Sequence, residues 1–112
     1  MFVIKDSTQV PLEPVQEGIG IRWVIGPKDN PPNFALRIIE IQPGITFSPH
    51  HHPYEHEIYV LEGNGVLLDK EGHKAATMEP GVALLVPPDE AHGYRNDGVA
   101  TLKFICVIPL QS

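Results

Sequence analysis

Twelve prolines and ten glycines divide this 112-residue chain into short apolar runs, and this punctuation is the strongest limit on its fold. Proline breaks a helix interior, and glycine weakens one by roughly 1 kcal/mol. The apolar runs cover residues 21–25, 34–41, 58–61, 66–68, 82–86 and 99–110. All but the last run into a turn cluster, such as Gly26-Pro27, Pro43-Gly44, Gly63-Asn64-Gly65 or Pro87-Pro88-Asp89. Val- and Ile-rich runs of strand length between turn residues read as an all-β sandwich or barrel. No segment carries a capped 3.6-residue period, so no substantial helix is expected. Residues 2–4 are expected to form a short first strand, and residues 5–18 an irregular segment. The length fits one domain spanning 1–112.

Fourteen acidic against eight basic residues give a net charge of −6 without a basic cluster. That argues against a nucleic-acid partner. No apolar stretch approaches the roughly 20 residues of a membrane helix. The first six residues lack the basic start and apolar stretch of a signal peptide, and Cys106 has no second cysteine to pair with. Both features point to a cytoplasmic protein. In the last run, Leu102, Phe104, Cys106 and Ile108 share one face, while Ile105 and Val107 lie on the other. Both faces are apolar, so burial on both sides is expected, one of them by a second copy in a homodimer.

Four of the six histidines fall between positions 50 and 56, in Ser48-Pro49-His50-His51-His52-Pro53-Tyr54-Glu55-His56-Glu57. Side chains alternate along a strand, so His50 and His52 would point one way and His51 the other. If the chain resumes an extended course after a bend at Pro53, His56 shares their side. Three converging imidazoles suit a transition metal, because each ring nitrogen needs a partner when buried. A solvated histidine-rich loop is the competing reading. The flanking prolines and the adjoining Ile58-Tyr59-Val60-Leu61 run argue against it.

Residues 44–65 read Gly44-x5-His50-x-His52-x3-His56, then Gly63. Residues 81–96 read Gly81-x5-Pro87-x-Asp89-x2-His92-x3-Asn96. The pair resembles the two motifs of the cupin superfamily, G-x5-HxH-x3,4-E-x6-G and G-x5-PxG-x2-H-x3-N. It is most similar to small single-domain cupins with a four-histidine site, including manganese-binding members from thermophiles. The resemblance implies a double-stranded β-helix, or jelly-roll, barrel. It implies a metal site of His50, His52, His56 and His92 for one divalent ion, with Mn first and Fe, Ni, Zn, Cu or Co also acceptable to four nitrogens. Two positions depart from the pattern. His56 stands where the family usually has Glu; Glu57 is the alternative ligand, but strand parity turns it to the other face. Asp89 replaces a turn glycine, a position that Asp tolerates.

Four neutral ligands would leave the ion's +2 charge uncompensated, which favours an anionic ligand in its open positions. Two such positions would accept a bidentate substrate, or a substrate with O₂. Arg37, Phe104, Cys106 and Ile108 are the candidate pocket residues, with ordinary core packing as the competing reading. An Arg in the apolar 34–41 run either pairs with a carboxylate or holds an anionic substrate. Cys106 reads as an inert buried thiol, Trp23 and Tyr59 as core or interface, Asn96 as a turn stabiliser, and His51 and His73 as exposed. The leading expectation is dioxygenase-like oxidation of a small organic molecule. Isomerase or polyketide-cyclase-like chemistry uses the same site without O₂. The rival from another class is a non-catalytic metal- or ligand-binding module.

Overall fold

In the computed structural model, which describes residues 1–110, the apolar runs 21–25, 34–41, 58–61 and 99–110 supply the adjacent inner strands of the larger of two antiparallel sheets, 82–86 its edge, and 66–68 a strand of the smaller one. The strands are β1 (Glu13–Gln16), β2 (Ile19–Ile25), β3 (Phe34–Ile41), β4 (Thr46–His50), β5 (His56–Glu62), β6 (Gly65–Leu68), β7 (Lys74–Met78), β8 (Ala83–Val86), β9 (His92–Arg95) and β10 (Leu102–Pro109). The six-stranded sheet has the order β1-β2-β3-β10-β5-β8, and the four-stranded sheet the order β4-β9-β6-β7. From β3 onward the chain crosses between sheets at almost every turn, so the two layers are woven together as a jelly-roll barrel. The helical structure among the described residues is two single 3₁₀ turns, Ser7–Gln9 and Pro27–Asp29. None is long and apolar enough to cross a membrane.

Strand alternation sets the core. In β10, Leu102, Phe104 and Cys106 are fully buried and Ile108 nearly so, while Lys103, Ile105 and Val107 are half-buried. Each fully buried Leu, Ile or Phe side chain stabilises by roughly 1.5–3 kcal/mol. These residues pack against Ile39 and Ile41 of β3, Ile58 and Val60 of β5, and Met78 and Tyr94 from the smaller sheet. β10 pairs with both β3 and β5, in a register that sets Cys106 opposite Arg37 on one side and Ile58 on the other.

The N-terminal expectation is corrected. Phe2, Val3 and Ile4 are exposed and form no strand. The first strand is β1, inside the stretch expected to be irregular. β1 pairs with β2 at the edge of the sheet and carries a bulge between Pro14 and Gln16. An edge strand with a bulge is where proline is tolerated, since the missing N–H faces away from the ladder. β4, β7 and β9 also lie outside the apolar runs. They belong to the smaller sheet, whose Pro-, His- and Gly-containing sequences carry a weak strand pattern.

Two turns hold the motifs in place. Asp89 adopts φ 65°, the left-handed conformation of the glycine it replaces, and its N–H donates to the His52 carbonyl at 2.7 Å. The second motif is thereby tied to the loop of the first. Asn96 is fully buried. Its Nδ2 donates to the carbonyls of Ile41 and Ala100, both at 2.8 Å, and its Oδ1 accepts from the Gly98 N–H at 3.0 Å. It is the turn stabiliser expected from the sequence.

Candidate metal centre

β4 ends at His50, β5 begins at His56, and the bend between them carries His52 outside either strand. His52 therefore reaches the others through the Pro53-Tyr54 bend and its tie to Asp89, and strand parity alone does not place it. His92 opens β9 and sits directly across the ladder from His50. The four rings form a closed circuit. Centroid separations are 5.1 Å for His50–His52, 5.1 Å for His52–His56, 5.2 Å for His56–His92 and 4.7 Å for His50–His92. An imidazole bound through Nε2 at about 2.1 Å has its centroid about 3.2 Å from the ion, so neighbouring ligands at 90–110° are about 4.6–5.3 Å apart. The observed spacings match that range.

The ring nitrogens follow the same logic. His50 Nδ1 donates to the Ser48 carbonyl and His92 Nδ1 to the Glu90 carbonyl, each at 2.9 Å. A carbonyl can only accept, so Nδ1 carries the proton and Nε2 presents its lone pair. His56 Nδ1 lies 3.4 Å from Cys106 Sγ. The Nε2 atoms of His56 and His92 are buried without a hydrogen-bond partner. An unsatisfied buried nitrogen costs about 1–3 kcal/mol, a cost that a bound cation removes. The donor set therefore fits a divalent transition metal. The ring orientations are not those of a closed coordination sphere, and no group of three or more His, Cys, Asp or Glu among the described residues is in ligating position. Rotation about the Cβ–Cγ bond redirects a ring nitrogen while leaving the ring centroid almost in place.

Burial and mutual repulsion disfavour protonation of His52, His56 and His92. Desolvation depresses the pKa of His52 and His92, and lowers that of His56 to about 3. Aromatic rings wall the circuit: Phe47 stacks on His50 at 4.5 Å, and Tyr54 on His52 at 5.1 Å. Tyr94 lies 5.5 Å from His92 and 4.9 Å from Phe104. Glu57 is exposed on the outer face of β5, turned away from the circuit. His51 and His73 are exposed.

The four candidate pocket residues separate. Arg37 and Cys106 reach the site: Arg37 Nη2 donates to Cys106 Sγ at 3.0 Å, and Cys106 in turn contacts His56. Burial pushes the Cys106 thiol pKa up. Phe104 and Ile108 belong to the core cluster. Trp23, read as core or interface, packs against the core cluster and also presents its ring to the Arg37 guanidinium, 5.4 Å from ring centroid to Cζ. Tyr94 was legible by period-2 spacing from His92, whereas Trp23 comes from another strand and depends on the β2–β3 register that sets it opposite Arg37. A cleft of about 370 Å³ touches the circuit only at His92, between Leu67, Leu68, Val86, Pro87 and Ala91.

Comparison with known proteins agrees with the fold. Residues 37–108 match the model of the "Cupin domain" family. The chain is 42% identical over 72 residues to Protein SchB of Streptomyces halstedii, covering 62% of this chain and 50% of that protein. It is 32% identical over 79 residues to the mannose-1-phosphate guanylyltransferase RfbM of Salmonella typhimurium, covering 69% of this chain and 16% of that enzyme. The chain thus spans half or less of the length of these curated relatives. Among solved structures, the polyketide cyclase RemF of Streptomyces resistomycificus superposes with a TM-score of 0.90 at 32% identity, over 99% of this chain and 81% of that one.

Proposed function

This chain belongs to the cupin domain family, and from that premise we propose that it is a divalent-metal-dependent enzyme acting on a small carbonyl-containing molecule. The observation that carries this is the circuit of four imidazoles with two buried, unpartnered Nε2 atoms. His50, His52, His56 and His92 would hold the ion. Manganese is the first candidate, with Fe, Co, Ni, Cu or Zn acceptable to the same donors. When bound, the ion supplies Lewis-acid polarisation of a carbonyl oxygen. The chain's own residues orient and exclude. The Ser48 and Glu90 carbonyls fix the His50 and His92 tautomers. Phe47, Tyr54 and Tyr94 line the walls, where apolar surroundings strengthen electrostatic interactions with a substrate.

Cyclase- or isomerase-like chemistry on an enolisable substrate is the reading best supported, because the likeness to a polyketide cyclase runs over 99% of this chain. Oxidative chemistry uses the same ion and is the alternative outcome of the test. Elemental analysis should find one transition metal per chain in the wild-type protein and none in His52→Ala or His56→Ala. Metal-replete protein should then convert a poly-β-carbonyl probe under argon. Conversion only with O₂ uptake would support the dioxygenase-like reading. Metal binding without conversion in either atmosphere would leave a binding module, and retention of metal by His56→Ala would overturn the site itself.

A further inference from the structure

Arg37 is 8% exposed, in the middle of β3. Its Nε is buried and has no hydrogen-bond partner. Its Nη2 donates to a thiol, Cys106, and its flat face lies against Trp23. No carboxylate pairs with it among the described residues: the salt bridges there are Lys5–Asp29, Arg22–Glu40 and Lys103–Glu62. A buried guanidinium without a counter-ion is unusual, because desolvating an unpaired charge costs several kcal/mol. The charge sits at the histidine circuit. It contacts Cys106, which contacts His56, and it disfavours protonation of both His52 and His56. The neighbours that face it are therefore an indole, a thiol, neutral imidazoles and Tyr94. None neutralises it.

We propose that Arg37 is the anion-recognition residue beside this circuit, and that the substrate carries a carboxylate or enolate oxygen held by the guanidinium against Trp23. The proposal rests on the reading of the histidine circuit as a substrate site. It concerns a different group from the metal ligands and is tested apart from them. The planar fork of Arg suits a carboxylate, and the unpartnered Nε–H supplies a donor beside Nη2. A divalent ion held by the four histidines would add to the same local positive charge, which strengthens the demand for an anionic partner.

Trp23 is the only tryptophan in the chain and lies on the guanidinium, so its fluorescence reports the site directly. Metal-free and metal-loaded protein would each be titrated with acetate and benzoate, and with the neutral isosteres acetamide and benzamide. At least one carboxylate should saturate the Trp23 signal with an affinity about tenfold or more above its amide, a difference of about 1.4 kcal/mol. Arg37→Lys should keep part of that preference, and Arg37→Met should lose it while still retaining one metal per chain by elemental analysis. If Arg37→Met fails to fold, the wild-type carboxylate-to-amide ratio and Arg37→Lys decide the question. Equal binding of carboxylate and amide by the wild type, or no binding of either carboxylate, would overturn the proposal. Carboxylate preference in a protein that takes up no metal would instead overturn the metal reading and leave Arg37 standing.

Discussion

Gly93 tests how closely strand pairing and the metal centre are linked. It lies in β9 next to His92, where β9 runs beside β4, the strand that ends at His50. A Cβ built on Gly93 would strike the Phe47 carbonyl oxygen, with Pro49 N at 2.9 Å and Ser48 C at 3.0 Å. These are backbone atoms, so no side-chain rotation relieves them. Restoring an ordinary contact of about 3.4 Å to Pro49 alone takes about 0.5 Å of strand separation. Overpacking of this kind costs about 1–3 kcal/mol, which for a domain near this size lowers Tm by about 5–15 °C. The same displacement would part His50 from His92, now 4.7 Å apart. A site that tolerates about 0.5 Å of error should then lose about tenfold or more in metal affinity. Gly72→Ala is the control. Its Cβ meets nothing within 4 Å, but its φ of 81° is left-handed, so it should cost about 1–2 kcal/mol and leave metal affinity unchanged. Urea unfolding of the metal-free variants gives the first quantity, and chelator competition on folded protein the second. Gly93→Ala with wild-type stability and wild-type affinity would refute the reasoning. So would Gly72→Ala with an equal loss of affinity.

Asn96→Ala removes three hydrogen bonds and strands the Ile41 and Ala100 carbonyls, so urea unfolding should show a loss of about 2–4 kcal/mol; a loss under about 1 kcal/mol would mean water replaces the side chain. The metal-free protein should lose stability as pH falls from 7 to 5. Burial holds His52, His56 and His92 below their usual pKa, so the unfolded chain takes up protons near pH 6.5 that the folded chain refuses until lower pH. A urea midpoint that stays flat across that window would contradict the burial of these rings. The homodimer expected from β10 is proposed to use the outer face of β5, β8 and β10, where Tyr59 and Leu85 are exposed beside half-buried Ile105 and Val107. Light scattering should give a dimer for the wild type and a monomer for the Tyr59→Glu, Leu85→Glu double variant; a monomeric wild type at micromolar concentration would exclude it.

How much of this was legible in the chain depends on the range of the interaction involved. Turn chemistry is local. The prolines and glycines therefore marked the all-β class, and the resemblance to the cupin motif set Asp89 at a turn-glycine position that Asp tolerates, in keeping with its φ of 65°. Period-2 alternation is also local, and it separated the inward Leu102, Phe104 and Cys106 from the outward Ile105. It also separated inward His56 from outward Glu57. The apolar triplet Phe2, Val3 and Ile4 suggested a strand, but it pairs with no strand and stays exposed. Alternation missed β4 and β9, which form because the ladder between them satisfies backbone groups that their side chains do not announce.

Local residue order thus specifies the class of fold, the two histidine-bearing motifs and the ligand types available to a metal. Each follows from residues a few positions apart. Long-range packing sets His50 opposite His92 across the β4–β9 ladder and brings His52 to them through a bend tied to Asp89. It also places Arg37 between Trp23 and Cys106, with no counter-ion among the described residues. Those outcomes depend on the register between strands distant in sequence. Register is set by the simultaneous packing of the whole core, which no short stretch of residues encodes.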